Sequence, residues 1–388
     1  MSGTVDVEDR SAARDLLRAV REFVDHEVRP RVVQYNRDGA LPADLVATVV
    51  KMGLVGGVIP EIYGGSGMDY QLWASCVEEF ARYCTALAAI VGYPSSLAGQ
   101  GLLRWGTEDQ KNEFLRPLAA GECSAATAIT EPDVGSDAAS LRTVARRQGD
   151  HYVINGHKTW ISNANTCRWM LLFANCEPAS GRDGITAFLV DRETPGVETR
   201  PIKHKLASRV SDTGDVYLSD VVVANDRLLG EEGGGWSILR ASVGAGRLHV
   251  AARSVGIAQG SLELSVEYAK SRQAFGQQIG RLQLVQRMLA EMAVQAQSAR
   301  LMVREAASTW DQTLGGDAFA TSMAKLHAAH TAMAVAHDAV QIHGAYGISD
   351  EYHVERLFRE AKMQEIVDGT NEIQQLIIAN RLMAGKIP

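Results

Sequence analysis

The second half of the chain narrows the choice of fold most. Trp236–Lys270, Leu282–Trp310 and Phe319–Ile342 are three long runs rich in Ala, Leu and Val. Helices of about 30 residues run about 45 Å at 1.5 Å per residue, too long for the core of a compact monomer alone. With a shorter helix ending the chain, they predict a four-helix bundle and subunits packed along it.

The beginning of the chain reads as helix too. Leu17, Val20, Val24 and Val28 form a helical stripe over Ala12–Val28, and Pro30 ends it. A second helix is predicted over Pro42–Met52 with Gly53 as its stop. Others fill Tyr70–Tyr83, Ala86–Trp105 and Glu108–Ala119. The texture changes near Cys123. Val144–Arg146, Tyr152–Ile154, Thr159–Ser162, Trp169–Ala174, Thr186–Val190 and Val216–Val222 read as short strands. Gly149 and Asp150 mark one turn, and Asn155-Gly156 reads as a hairpin turn. The predicted class is α+β, mainly α, in three parts. These are an N-terminal helical domain (1–122), a middle antiparallel β domain (123–231) and a C-terminal helical bundle (232–388).

Charge and composition remove several classes of partner. A net charge of -7 argues against nucleic acid or an anionic membrane. No apolar run reaches eighteen residues and no basic start precedes one, so a cytoplasmic address is expected. The five cysteines lack CxxC spacing and read as reduced thiols, and the ten histidines have no ligand spacing, so no metal is expected.

Chemistry concentrates at the seams. The segment Lys362–Gln374 delivers a carboxylate, Asp368, into a Gly-Thr turn, where Thr370 caps a helix continuing through Ile373, Leu376 and Ile377. A carboxylate held on a bend, partly out of water, is a way to position a general base. An ordinary Asp favoured by the helix dipole reads the same way. Thr127–Asp137 offers the Ile129 and Thr130 N–H groups with the Thr130 and Ser136 hydroxyls, suited to the edge of a flat heterocycle. Lys158–Ser162 sets the face of Trp160 beside Ser162. Arg272–Gly276 and Gln283 lie between two bundle helices, with a guanidinium for a pyrophosphate and Phe275 for an adenine. Gln341–Gly347 ends another helix in a Gly-rich turn open to a phosphate. Each also has a plain structural reading as core aromatic, strand-end hydroxyl, helix-end Arg or C-cap. Arg247, among Gly244, Ala245 and Gly246, lines a cavity or meets a buried acid. Ser322-Met323-Ala324-Lys325 matches S-x-x-K without partner motifs and reads as chance. Val58–Gly67 is Gly-dense but lacks the context of a P-loop, and reads as a structural loop.

Taken in order, these segments resemble the acyl-CoA dehydrogenase family. Five motifs carry the resemblance, in the family's order and spacing. They are Pro60–Gly65, Thr130–Pro132 through Gly135–Asp137, Trp160–Ser162, Arg272–Gly276, and Asp368–Thr370 with Ile373-Gln374. The resemblance implies FAD between the β domain and the bundle, its adenine end reaching a neighbouring subunit of a homo-oligomer, usually a homotetramer and in some members a dimer. It implies that Ile129, Thr130, Trp160, Ile161 and Ser162 meet the isoalloxazine ring. Arg272, Phe275 and Gln283 would hold the pyrophosphate and adenine end across the subunit boundary. Gln341, Gly344, Ala345, Thr370 and Glu372 would complete the cofactor site, and Ser136, Arg247 and Gly369 would lie along the thioester.

The activity so implied is FAD-dependent α,β-dehydrogenation of an acyl-CoA or acyl-carrier-protein thioester. Asp368 would take the α-proton, the β-hydrogen would leave as hydride to flavin N5, and electrons would pass on to electron-transfer flavoprotein. Some residues depart from the family pattern. The usual base is Glu where this chain has Asp368. Members that carry the base on the long helix have it where Gly246 stands, and Glu365 lies three residues upstream of Asp368. Asn380 stands where many relatives have Arg, and Ala345 and Glu372 replace a frequent Gly and Gln. The shorter acid keeps two other readings open. One is a flavin oxidase, monooxygenase or carrier-bound acyl tailoring enzyme. The other is a non-catalytic flavin- or acyl-binding module.

Overall fold

A computed structural model of the chain describes residues 7–313 and 315–387. The predicted first helix is α1 (Val7–Phe23), carried on through one wide turn that buries Val24 and Val28 completely. A helix absent from the sequence reading, α2 (Val32–Asp38), ends on Gly39 at φ 69, and α3 (Ala43–Lys51) starts after Pro42. The Gly-dense loop that follows is structural. A side chain at Gly65 would run into the backbone of Ile59. Asp69 caps α4 (Tyr70–Ala81), accepting the Leu72 N–H at 2.6 Å.

The single helix expected over Ala86–Trp105 is two, α5 (Thr85–Gly92) and α6 (Leu97–Trp105). Pro94 sits in the break, because it offers no N–H to continue a helix, and Leu97 enters α6 at φ 30. By length and composition Thr85–Trp105 could cross a membrane, but 78% of its most apolar window is buried in the protein. The helical part closes with α7 (Glu108–Gln110) and α8 (Arg116–Ala119), joined by another wide turn.

The middle strands are β1 (Ala125–Ala128), β2 (Val144–Gln148), β3 (His151–Ser162), β4 (Trp169–Asn175), β5 (Ile185–Asp191), β6 (Val197–Pro201), β7 (Thr213–Ala224) and β8 (Leu228–Leu229). They run β6-β7-β3-β2-β4-β5-β8, with β1 against β4. The sheet is mixed rather than purely antiparallel, since β1 and β2 both meet β4 in parallel. Gly149, at φ 64, makes the β2–β3 turn as expected. Asn155-Gly156 does not turn the chain. Both lie inside β3 at a bulge, where the Asn155 amide and Asp220 exchange hydrogen bonds of 3.0 and 2.9 Å across to β7. Gly156 is required there because a side chain would collide with Thr143. β4 is buried throughout. Trp169, Leu171 and Phe173 face helices, while Met170, Leu172 and Ala174 pack with Tyr152, Ile154 and Val216 of the sheet.

The long runs become α9 (Gly235–Ser271), α10 (Gln283–Gln312) and α11 (Ala318–His343), with a small β9 (Gln273–Ala274) and β10 (Gln277–Gln278) hairpin after α9. The fourth bundle member is not the helix that ends the chain. It is α12 (His353–Gln364), which packs on α9 and α11, while α13 (Asn371–Met383) lies along α11. α12 escaped the sequence reading because its charged face leaves few apolar positions, and those, Val354, Leu357 and Ala361, are buried.

Candidate active site

A cleft of about 1490 Å³ opens between the helical part and the sheet. Ile90, Tyr93 and Leu97 form one wall, Thr127 and Ser162 the other. The break between α5 and α6 supplies Tyr93 and Leu97. The Tyr93 hydroxyl stands 3.4 Å from Ser162 Oγ, bridging the two walls.

The sheet-side wall is set by a buried ion pair. Lys158, fully buried, donates to Glu131 at 2.8 Å and to the Ile129 carbonyl at 3.0 Å. Glu131 also accepts from the Arg142 and Thr143 N–H groups at 2.6 and 2.9 Å and from the Thr143 hydroxyl at 2.6 Å. Burial pushes the Glu131 carboxyl up, but Lys158 and these donors hold it below its usual range. Burial brings Lys158 down to about 8 against the pull of Glu131. The pair pins Ile129, and the Thr159 N–H bonded to the Thr130 carbonyl at 2.9 Å pins Thr130 to β3. A register irregularity after Lys158 turns Trp160 out of the sheet at φ 59, leaving it 60% exposed. Ile129 and Thr130 are therefore held beside the end of β3 that carries Trp160 and Ser162. Ile161 does not join them, because its side chain is buried in the sheet core. Ser136 is exposed on the loop between β1 and β2.

Asp368 sits at φ 53 on the turn before α13. Thr370 caps that helix, its hydroxyl accepting the Ile373 N–H at 3.4 Å, and Gln374 donates to the Gly369 carbonyl at 2.8 Å. Gly369, at φ 93, faces the Arg247 guanidinium, and Arg247 Nε donates to the Asp368 carbonyl at 3.3 Å. The Asp368 carboxylate lies over Gly246 of α9. A Cβ placed there would stand 2.7 Å from Asp368 Oδ2 and 3.0 Å from Leu97 Cδ2. Leu97 thus links the cleft to the acid. Burial raises the Asp368 carboxyl above the usual carboxylate range, against the pull of Arg253, Lys325 and Arg247. Burial also lowers Arg247, with Asp368 opposing. Glu365 is engaged elsewhere, with Lys362 at 2.6 Å.

Lys325 is fully buried, donates to Asn371 Oδ1 at 3.0 Å, and is brought by burial to about 8. The S-x-x-K match read as chance thus supplies a cation beneath the acid. Arg253, Tyr93 and His249 also join this region unannounced. The only signal for Arg253 was a charge inside the small-residue run Ala251–Gly256 of α9. Among the described residues no group of three or more His, Cys, Asp or Glu gathers as a metal site would require.

The remaining sequence candidates collect at the other end of the bundle. Arg272 lies over the Tyr346 ring at 5.6 Å, Phe275 is 91% exposed at φ 52, and Gly344 has open space around it. Gln283, Gln341 and Ala345 are exposed beside them, whereas Glu372 is exposed at the start of α13. The exposed indole beside Thr130 and Ser162 fits a flat ring system. The exposed guanidinium, aromatic ring and bare glycine turn fit its phosphates and base. Gly246 and Arg272 lie about 39 Å apart along α9 at 1.5 Å per residue. The Arg272 patch is thus well removed along α9 from the turn that carries Asp368.

The chain matches three family descriptions in succession: acyl-CoA dehydrogenase N-terminal domain over residues 10–122, middle domain over 126–221 and C-terminal domain over 233–383. It is 39% identical to an acyl-CoA dehydrogenase of Bacillus subtilis, over 94% of this chain and 96% of that one. It is 37% identical to the caffeyl-CoA reductase–Etf complex subunit CarC of Acetobacterium woodii, over the same shares. Butyryl-CoA dehydrogenase from Megasphaera elsdenii superposes with a TM-score of 0.93 at 34% identity, covering 99% of this chain and 100% of that one. The chain belongs to the acyl-CoA dehydrogenases, a family of FAD-dependent oxidoreductases acting on CH–CH groups.

Proposed function

We propose that this protein dehydrogenates an acyl thioester between Cα and Cβ, with Asp368 removing the α-proton. The observation that carries this is the half-buried Asp368 carboxylate, held over Gly246 next to the cleft residue Leu97, its pKa raised by burial. A thioester α-proton is weakly acidic, so the base must be held against it while the enolate oxygen is stabilised. Arg247 fixes the Asp368 backbone, and Gln374 fixes Gly369. The Asp368 and Gly369 N–H groups donate to no acceptor among the described residues, which leaves them free for a carbonyl oxygen. Bound FAD supplies the acceptor for the β-hydride. Trp160, Thr130 and Ser162 form the wall against which its ring would rest.

The Asp in place of Glu fits its surroundings. Its carboxylate occupies the space above Gly246, so a base on α9 and a base at 368 exclude each other here. The separation of the Arg272 patch from Asp368 supports cofactor sites completed by a neighbouring subunit. The apolar Leu284, Val294 and Leu301 exposed on α10 support packing of copies along the bundle, as in a homotetramer. The relative named as part of an Etf complex supports electron-transfer flavoprotein as acceptor.

Anaerobic titration of the FAD-loaded protein with acyl-CoA and acyl-carrier-protein thioesters tests this reading. Flavin bleaching is expected, and it is lost in Asp368→Ala. A panel that never bleaches the wild type, or an Asp368→Ala that bleaches equally, would refute it.

A further inference from the structure

On the dehydrogenase reading, we propose that the acyl pocket selects a short acyl group ending in a carboxylate, which Arg253 binds. α9 presents Gly246, His249 and Arg253 on one face, at i, i+3 and i+7. Gly246 carries the Asp368 carboxylate against it. Arg253 follows two turns later, its backbone about 10.5 Å along the axis, and its side-chain charge is the one that acts most strongly on Asp368.

Arg253 is 2% exposed, its Nε has no acceptor, and no carboxylate of the described residues pairs with it at ion-pair distance. A buried guanidinium left this way is costly unless a ligand completes it.

The length limit comes from the walls. His249 is fully buried and faces the Ala88 carbonyl at 3.1 Å through Nε2, which therefore donates. Its ring meets the Tyr93 ring edge-on at 5.4 Å, and Gly92 has no space for a side chain beside it. Tyr93 in turn reaches Ser162. This stack closes the space between α5 and α9, so a long aliphatic chain has no path past it. Burial brings His249 down to about 3, so it adds no competing charge.

The test compares two non-reactive CoA thioethers of equal length, one ending in a carboxylate and the other in its methyl ester. Binding to the FAD-loaded protein is read from the flavin absorption shift. The carboxylate should bind at least about 30-fold more tightly, the lower end for a buried charge pair. Arg253→Met should reduce that preference to below about threefold, and Arg253→Lys should keep part of it. Equal or tighter binding of the ester by the wild type overturns the proposal, with no variant needed. So does an Arg253→Met protein that keeps the preference. Bleaching by reactive thioesters is read separately. Its absence would sink the dehydrogenase reading, while preference for the ester with bleaching intact sinks the carboxylate subsite alone.

Discussion

The position of the base can be tested without touching it, by Gly246→Ala. In the structure the new Cβ would lie 2.7 Å from Asp368 Oδ2 and 3.1 Å from its Cγ. Ordinary contact begins near 3.4 Å, so the carboxylate must retreat by 3.4 − 2.7, about 0.7 Å. A displacement near 1 Å at a reacting group costs about 10²-fold in rate. The expected loss in flavin reduction is therefore about 10- to 100-fold. Stability should move the other way or stay level. Gly246 is inside α9, where Gly→Ala is worth roughly 0.5–1 kcal/mol, and the group displaced is the end of a side chain rather than backbone. The assay is stopped-flow reduction of the flavin by the best thioester, beside a thermal melt. Gly244→Ala is the control, because its Cβ would meet only Trp310 at an ordinary 3.5 Å. A Gly246→Ala enzyme that melts like the wild type and reduces its flavin within threefold of the wild-type rate would refute the placement of the base at 368.

Other outcomes follow from the same geometry. Asp368 has a raised carboxyl, so its base form is lost as pH falls through that raised value. The reduction rate should show an acid limb above the ordinary 3.8, absent from the residual rate of Asp368→Asn. The same shift means the native state holds more protons than the unfolded chain from 3.8 up to the raised value. Stability should fall as pH rises through that window, and Asp368→Asn should flatten this part of a urea-midpoint profile. Glu131→Gln strands the buried Lys158 charge and should cost about 3–5 kcal/mol in urea unfolding, with flavin lost from the wall it braces. Arg272→Ala alters an exposed side chain, so the melt should hold while flavin absorbance per chain falls.

Much of the fold was legible because local pattern and length survive context. The stripe of α1, the long Ala-, Leu- and Val-rich runs of α9, α10 and α11, and the β4, β5 and β7 runs all read correctly. Misreadings came where a tertiary contact overrode a local signal. Asn155-Gly156 has the chemistry of a hairpin turn, yet the Asp220 amide bonds and the crowding by Thr143 hold it in a strand. α12 hides its few apolar residues among charges, and Ala86–Trp105 looked continuous until Pro94 broke it.

At the candidate site, sequence marked residues whose placement depends on local backbone: Asp368 on its turn, Thr370 as cap, Trp160 and Ser162 at a strand end, Arg272 after a helix. Their order along the chain was enough to identify the family. It could not gather Tyr93, Gly246, His249, Arg253 and Lys325 around the acid, because these come from the α5–α6 break and two helices far apart in sequence. What an isolated Lys or Arg does is decided by the charge opposite it and the water removed from it, and both exist only once the helices have packed.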